Sequence, residues 1–468
     1  MGISDLAEGI ARGLESVSGG LLGPMFEPVI RLGVTGLSRA GKTVFITGLV
    51  ANLIARGRMP QLRANGRIEA VYLQPQPDLT LPRFAYEDHL AAMTGDDPRW
   101  PQSTRAVSEL RLSFRVRPAG FLAGFAGPRV IHVDIVDYPG EWLLDLGLLD
   151  KSYAEWSEGV LDRIAGRSEV RDFMARARAA DGALRFEEPV AQGLAAAFTF
   201  YLTAAQAAGW ADCTPGRFLL PGDLAGSPVL TFAPLPKPAT AGRGSLWQQM
   251  ERRYDGYKSR VVQPFFRDYF ARIDRQVVLV DVLGAIHQGP RAVEDLRRTM
   301  ADVLGAFRPG RNGWLSGLSG KRVERILFAA TKADHLHHEQ HAALTAIMAA
   351  LVGEAKTRAD FAGAETASLS IAALRCTVED QIQRDGGVLP AVRGRLLSTG
   401  RQAVMYPGEL PTDPARLLAP AREGAERWLN AEYGLMGFAP ARMVLKPGEG
   451  PPHIRLDRAA EFLIGDRL

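Results

Sequence analysis

The sequence predicts an α/β fold built on a mostly parallel sheet, and three observations predict it. Apolar runs at residues 31–35, 130–136, 276–283, 323–330 and 368–374 are spaced by helical segments, which calls for parallel strands joined by right-handed crossovers. A glycine-rich turn, Gly36-Leu37-Ser38-Arg39-Ala40-Gly41-Lys42-Thr43, joins the first run to a helix. Two polar motifs, Asp137-Tyr138-Pro139-Gly140 and Thr331-Lys332-Ala333-Asp334, stand at the ends of later runs.

The chain of 468 residues is too long for one ordinary core, so two or three domains are expected. Charge is nearly balanced, 56 basic against 52 acidic residues for a net of +4, so no nucleic-acid partner is expected. Only two cysteines occur, Cys213 and Cys376, far apart in the chain. That excludes a disulfide scaffold and a thiolate zinc site, and fits a reducing compartment. No secretory signal opens the chain, because Asp5 and Glu8 interrupt it and no apolar stretch follows. A cytoplasmic protein is expected. Residues 189–211 carry no formal charge but include Gln192, Thr199, Thr203 and Gln206, which reads as a buried helix rather than a membrane span.

In chain order, Ile3, Leu6, Ile10, Leu14 and Val17 recur at helical spacing, predicting an amphipathic helix within residues 1–30 that packs on the protein or meets a membrane surface. Residues 31–35 read as a strand and 42–56 as a helix. Residues 57–108, rich in Pro, Arg and Asp, read as irregular. Residues 109–116 alternate with period two, a strand. From 141 to 274 the pattern is helical. Strands return at 276–283, 323–330 and 368–374. Beyond 377 the chain is rich in Pro and Gly, with helical stretches near 414–433 and 456–464.

The glycine-rich turn has the pattern of a phosphate-binding loop in its required strand-to-helix setting. Its backbone N–H groups would line a β-phosphate, with Gly36, Ser38, Arg39, Ala40 and Gly41 forming the cradle. Lys42 would bridge the β- and γ-phosphates, and the Thr43 hydroxyl would hold Mg²⁺. Asp137 closes an apolar strand and would hold the same ion, while Gly140 leaves its N–H for the γ-phosphate. Asp134 is the rival for that ion, but strand alternation points it to the other face. Thr104, or its neighbour Ser103, would deliver a second hydroxyl ligand, with Arg99 and Arg105 flanking it. An Asp at position 334 would accept the two donors of a guanine edge, which adenine lacks, and the Lys332 stem would cover the base. Ala373 would offer its N–H to the guanine oxygen, and His335 would lie close by. In this order the motifs imply a guanine-nucleotide site.

About 190 residues separate Gly140 from Thr331, whereas two βαβ units need only about 60. The division expected is therefore an N-terminal helix (1–30), a first nucleotide-domain part (31–149), a helical insertion (150–274), a second part (275–376) and a mixed C-terminal subdomain (377–468).

These residues resemble the YcjX-like family of stress-associated bacterial P-loop GTPases. The resemblance rests on the phosphate loop, on Val136-Asp137-Tyr138-Pro139-Gly140-Glu141-Trp142, and on Phe218-Leu219-Leu220-Pro221-Gly222-Asp223. It continues through Ala329-Ala330-Thr331-Lys332-Ala333-Asp334-His335 and Pro452-His453-Ile454-Arg455-Leu456-Asp457-Arg458-Ala459. It implies a P-loop nucleotide domain with a helical insertion, GTP and GDP binding, Mg²⁺ and slow hydrolysis. It also implies a role in envelope stress with an inner-membrane partner, hence peripheral attachment there. One departure from many GTPases matters. Glu141 stands where Gln often orients the attacking water, so Glu141 is either the water-orienting residue or faces away, and slow turnover is expected. His337 and His341 have the i, i+4 spacing of a metal face, against which stands a plain solvated cluster. Two other functions remain open: a non-hydrolysing nucleotide-binding scaffold for a partner, and a P-loop ATPase.

Overall fold

The computed structural model describes residues 27–37, 39–102, 106–119, 127–305, 323–361, 363–384, 387–428 and 432–468. Most of the expected N-terminal helix, together with Ser38, Ser103, Thr104 and Arg105, lies outside the described residues.

Seven strands form the main sheet: β1 (Val29–Gly36), β2 (Ile68–Gln74), β3 (Ser108–Val116), β4 (Arg129–Asp137), β5 (Arg275–Val280), β6 (Arg325–Ala330) and β7 (Glu365–Ser370). Their order is β2-β3-β4-β1-β5-β6-β7. β4, β1, β5, β6 and β7 run parallel, while β3 is antiparallel to both β4 and β2. The central strands are mostly apolar because both faces are covered. On one face, Val34, Val277, Leu279 and Leu327 meet helix α1 (Lys42–Ala55) through Phe45, Leu49 and Val50. On the other, Val278, Val280, Phe328 and Ala330 join a larger apolar cluster that runs into the helical insertion.

The stretch 57–108 is more ordered than its composition suggests. It contains β2 and a helix, α2 (Tyr86–Thr94). β2 is an edge strand, mostly half-exposed and interrupted by a register shift between Ile68 and Ala70, so its alternation is weak. α2 has nine residues and no side-chain cap. The last strand also shifts, from an expected 368–374 to Glu365–Ser370. The apolar Ile371 and Ala372 leave the sheet, and Ala372 pairs instead with Ile454. β5 stops at Val280 because Asp281 caps the next helix, accepting from the Gly284 N–H at 3.0 Å.

Between β4 and β5 come α3 (Gly140–Leu144) and then, within the expected insertion, α4 (Tyr153–Ile164), α5 (Arg171–Ala179), α6 (Glu188–Ala208), α7 (Leu246–Tyr257) and α8 (Gln263–Asp268). α4 starts on a capping box in which Ser152 and Glu155 satisfy each other's backbone N–H groups. Its core is aromatic: Trp156 stacks on Tyr254 at 5.0 Å between ring centroids and meets Phe198 and Phe232 edge-on. α6 buries Leu194, Phe198, Tyr201 and Leu202 along one stripe and leaves Phe200 outside, the pattern of a helix packed on a protein core. Among the described residues, no helix is long and apolar enough to cross a membrane.

After β5 come α9 (Val282–Gln288) and α10 (Pro290–Gly305), then α11 (His341–Leu351) and α12 (Gly353–Phe361) around β6 and β7. A second, antiparallel sheet follows, formed by β8 (Thr377–Arg384), β9 (Gly387–Arg395) and β10 (Gln402–Met405). The helical stretch near 414–433 shortens to α13 (Ala415–Arg422), ended by Gly424 in the left-handed region. The chain then returns to the main sheet. α14 (Leu456–Ala460) and the turn after it bury Leu456, Leu463 and Ile464 on the same face as α1. Arg275, 2% exposed, anchors this return through Asp466 at 2.9 Å.

Candidate functional site

The site lies where β1, β4, β6 and β7 end. The phosphate loop leaves β1 at Gly36, where a side chain would lie 2.7 Å from the Leu279 carbonyl. Arg39 and Gly41 both take left-handed backbone conformations (φ 64° and 84°), which fold the loop over the start of α1. Gly41 offers α1 no side-chain cap, so the first N–H groups of the helix are left for an anion. Lys42, 9% exposed, reaches back over the loop and donates to the Gly36 carbonyl at 3.1 Å.

Asp137 is the last residue of β4 and pairs in register with Val34 of β1. Two residues beyond Tyr138, the chain presses on the phosphate loop: a Cβ on Gly140 would fall 1.8 Å from the Gly36 carbonyl and 3.0 Å from the Lys42 ammonium. Only glycine fits. Asp134, the alternative ion ligand, is held by Arg111 in a two-pronged pair at 2.6 and 2.7 Å. Thr43 and Asp137, 8% and 1% exposed, bring a hydroxyl and a carboxylate oxygen, a donor set that suits Mg²⁺ rather than a soft metal. Of the second hydroxyl's surroundings, Arg99 is exposed.

In the Thr331–Asp334 motif, Thr331 donates to the Val280 carbonyl, Lys332 is left-handed (φ 61°), and Ala333 donates to the Ile371 carbonyl at 3.0 Å. The Lys332 ammonium pairs with the Asp281 carboxylate. Asp334, 4% exposed, accepts from the Cys376 N–H at 2.9 Å and from its thiol at 2.8 Å. Its own carbonyl accepts from the Thr377 hydroxyl. Ala373 lies where the loop after β7 crosses α1, its carbonyl 2.5 Å from where a Cβ on Gly48 would be.

His335 is buried, edge-on to Phe438, and burial lowers its pKa, so it is neutral near pH 7. Asp334, His335 and Cys376 bring a carboxylate, an imidazole and a thiol within 4.8 Å of one another. Burial, and then the Asp334 charge, push the thiol pKa well up, so the protonated Cys376 thiol donates to Asp334. Neither reading of the histidine cluster holds in full: His337 and His341 are buried, 9% and 3% exposed, rather than solvated, and they do not share a metal face. α11 begins only at His341, and His341 turns inward with Nε2 2.8 Å from the Ala333 carbonyl. His338 lies instead against Glu379, at 2.9 Å.

Glu141 opens α3, is 8% exposed, and accepts from Gln206 of α6 at 3.1 Å. The insertion grips the rest of α3. Arg217 covers the Trp142 ring at 3.3 Å, and Trp142 donates to the Leu220 carbonyl at 3.3 Å. Asp145 accepts from the Gly216 N–H at 2.8 Å and the Tyr257 hydroxyl at 2.5 Å. Gln206, Asp281 and Cys376 were not singled out as site residues from the sequence. Asp281 and Cys376 do carry a faint signal, each following a strand end, but Gln206 carries none.

The profile of the YcjX-like family, DUF463, matches residues 30–468. The Ras-like GTPase YcjX of Escherichia coli (strain K12) is 38% identical over 456 residues, covering 94% of this chain and 96% of the relative. The Ras-like GTPase YcjX of Shewanella oneidensis (strain MR-1) is 35% identical over 467 residues, covering 94% of each. With matches of this extent on a mostly parallel P-loop sheet, the chain belongs to the YcjX-like family.

Proposed function

We propose that this chain binds GTP and GDP with Mg²⁺, hydrolyses GTP slowly to GDP, and works as a nucleotide-dependent switch. The observation that carries this reading is the convergence of three strand ends: Gly140 packs on the Gly36 carbonyl, and the Thr331–Asp334 motif is tied to Val280 and Ile371 of the neighbouring strand ends. Gly36, Ser38, Arg39, Ala40 and Gly41 would cradle the phosphates and Lys42 would bridge β to γ. Thr43, Asp137 and Thr104 would hold the metal, which when bound neutralises charge on the β- and γ-oxygens. Gly140 would contact the γ-phosphate. Asp334, Lys332, Thr331 and the Ala373 N–H would read the base, with His335 behind them. Two relatives that carry the name Ras-like GTPase support the same assignment.

Slowness rests on Glu141, whose carboxylate is repelled by the γ-phosphate where an amide would not be. The switch rests on α3: the segment that follows Gly140 is the one the insertion clasps, so contact with a γ-phosphate would shift the insertion. A stress response and an inner-membrane partner are supported by the family resemblance alone, and a cytoplasmic setting by the two free cysteines, Cys213 and Cys376.

Calorimetry decides the base assignment. GDP is expected to bind at least tenfold tighter than ADP, and equal affinities would refute the guanine site. If Lys42→Ala bound GDP as well as the parent, the phosphate site would be wrong.

A further inference from the structure

The insertion reaches the cavity beside the phosphate loop through Gln206, Trp210 and Cys213, and of these Gln206 bonds to Glu141. Gln206, in the last turn of α6, donates to the Glu141 carboxylate at 3.1 Å. Glu141 directly follows Gly140, whose position is pinned between the Gly36 carbonyl and the Lys42 ammonium. Leu37 and Arg39 of the phosphate loop line one cavity together with Glu141 and Gln206. Among the described residues, Glu141 is the only partner of the Gln206 amide, so one amide N–H and the amide oxygen stay available to that cavity.

Both partners are held from behind. Glu141's own carbonyl would lie 2.0 Å from a Cβ on Gly216, so the insertion backbone sits directly against it. α6 stops at Gly209, left-handed at φ 94°, which is pressed on Gln288. Five residues before Gln206, Tyr201 accepts from Arg167 at 2.8 Å. The contact therefore joins two elements whose backbones are closely packed by their neighbours.

Resting on the GTPase reading above, we propose that Gln206 is a positioning residue for hydrolysis, delivered by the insertion to Glu141. A lone carboxylate beside a γ-phosphate is repelled and turns away. An amide N–H on one of its oxygens offsets part of that charge and leaves the other oxygen to accept a hydrogen bond from the attacking water. The water oxygen then bonds to the γ-phosphorus as the bond to the β–γ bridging oxygen breaks. The electron pair leaves with GDP, and the water proton ends on the released phosphate. Glu141 orients and Gln206 holds Glu141; neither is consumed. Hydrolysis then depends on how the insertion docks, an element that many GTPases take from a second protein.

The test uses the full chain as parent, Gln206→Ala, Glu141→Ala and the double variant. Single-turnover hydrolysis is compared with affinity for GDP and a non-hydrolysable GTP analogue, with thermal stability, and with capture of GDP plus aluminium fluoride. The expected result for Gln206→Ala is a rate about tenfold to a hundredfold lower, unchanged nucleotide affinity and Tm, and weakened aluminium fluoride capture. The double variant should be no slower than Glu141→Ala. Hydrolysis and aluminium fluoride capture equal to those of the parent would overturn the proposal. So would a rate loss that tracks a loss of Tm, or losses that multiply in the double variant. Failure of the underlying reading would show separately, as GDP binding that survives Lys42→Ala.

Discussion

Cys376 gives two hydrogen bonds to one carboxylate oxygen of Asp334, from its N–H at 2.9 Å and from its thiol at 2.8 Å. The proposed base-reading carboxylate is thereby oriented by a residue 42 positions further along the chain. Cys376→Ala removes only the thiol. GDP affinity should fall by roughly fivefold, the worth of one hydrogen bond of about 1 kcal/mol, with preference over ADP retained. Cys376→Ser should bind as the parent does. Calorimetric titration checks both, and identical affinity for all three proteins would remove Cys376 from the site.

Cys376 also makes a chemical prediction. Burial keeps its thiol protonated well above the ordinary range, so iodoacetamide at pH 8 should leave it unmodified in the native chain and label it on unfolding. Mass spectrometry of the digested protein reads this directly.

Gly140→Ala should separate GTP from GDP. The new methyl would meet the Gly36 carbonyl at 1.8 Å, so the chain after Asp137 must move away from the phosphate loop. Affinity for a GTP analogue should drop about tenfold or more while GDP, which has no γ-phosphate, changes little. Equal losses for both nucleotides would show that Gly140 shapes the loop without sensing the γ-phosphate.

Asp145 predicts a pH dependence. It is fully buried, and desolvation raises its pKa to about 6 despite the Tyr257, Gly216 and Thr214 hydrogen bonds. Its folded pKa therefore lies above the unfolded value. The native state holds the proton more tightly, so this group's contribution falls as pH rises from about 4 to 6 and is then constant. Asp145→Asn should remove that slope, a change on the order of 1–3 kcal/mol across the window. Urea unfolding at a series of pH values measures it, and parallel curves for parent and variant would contradict the assignment.

Arg217 stacks on Trp142 at 3.3 Å, which places an indole between the Gly140 turn and the insertion. Hydrogen exchange in residues 140–150 and 214–222 should differ between GDP and GTP-analogue complexes, and Arg217→Ala should reduce the difference in the second segment. Superimposable exchange in both complexes would mean that nucleotide state does not reach the insertion.

The strands at the centre of the sheet were legible because burial on both faces makes them continuously apolar, as in Val277, Val278, Leu279 and Val280. β2 was not, because an edge strand needs no apolar outer face. β7 was misplaced by four residues at its end because Ile371 and Ala372 are as apolar as a strand, yet spend that apolarity on the returning Ile454. His341 looked like a surface ligand by spacing, but it faces inward to the Ala333 and Leu336 carbonyls.

By itself the sequence determined the local chemistry: a glycine-rich turn between strand and helix, a carboxylate and a glycine after a buried strand, and a Lys-x-Asp segment after another. Such motifs are short because neighbouring backbone units produce them. Tertiary structure alone decided which distant groups complete them. Gln206 meets Glu141 across 65 positions and Arg275 meets Asp466 across 191. A hydrogen bond forms only within about 3 Å. Packing of whole elements sets that distance, and no spacing along the chain encodes it.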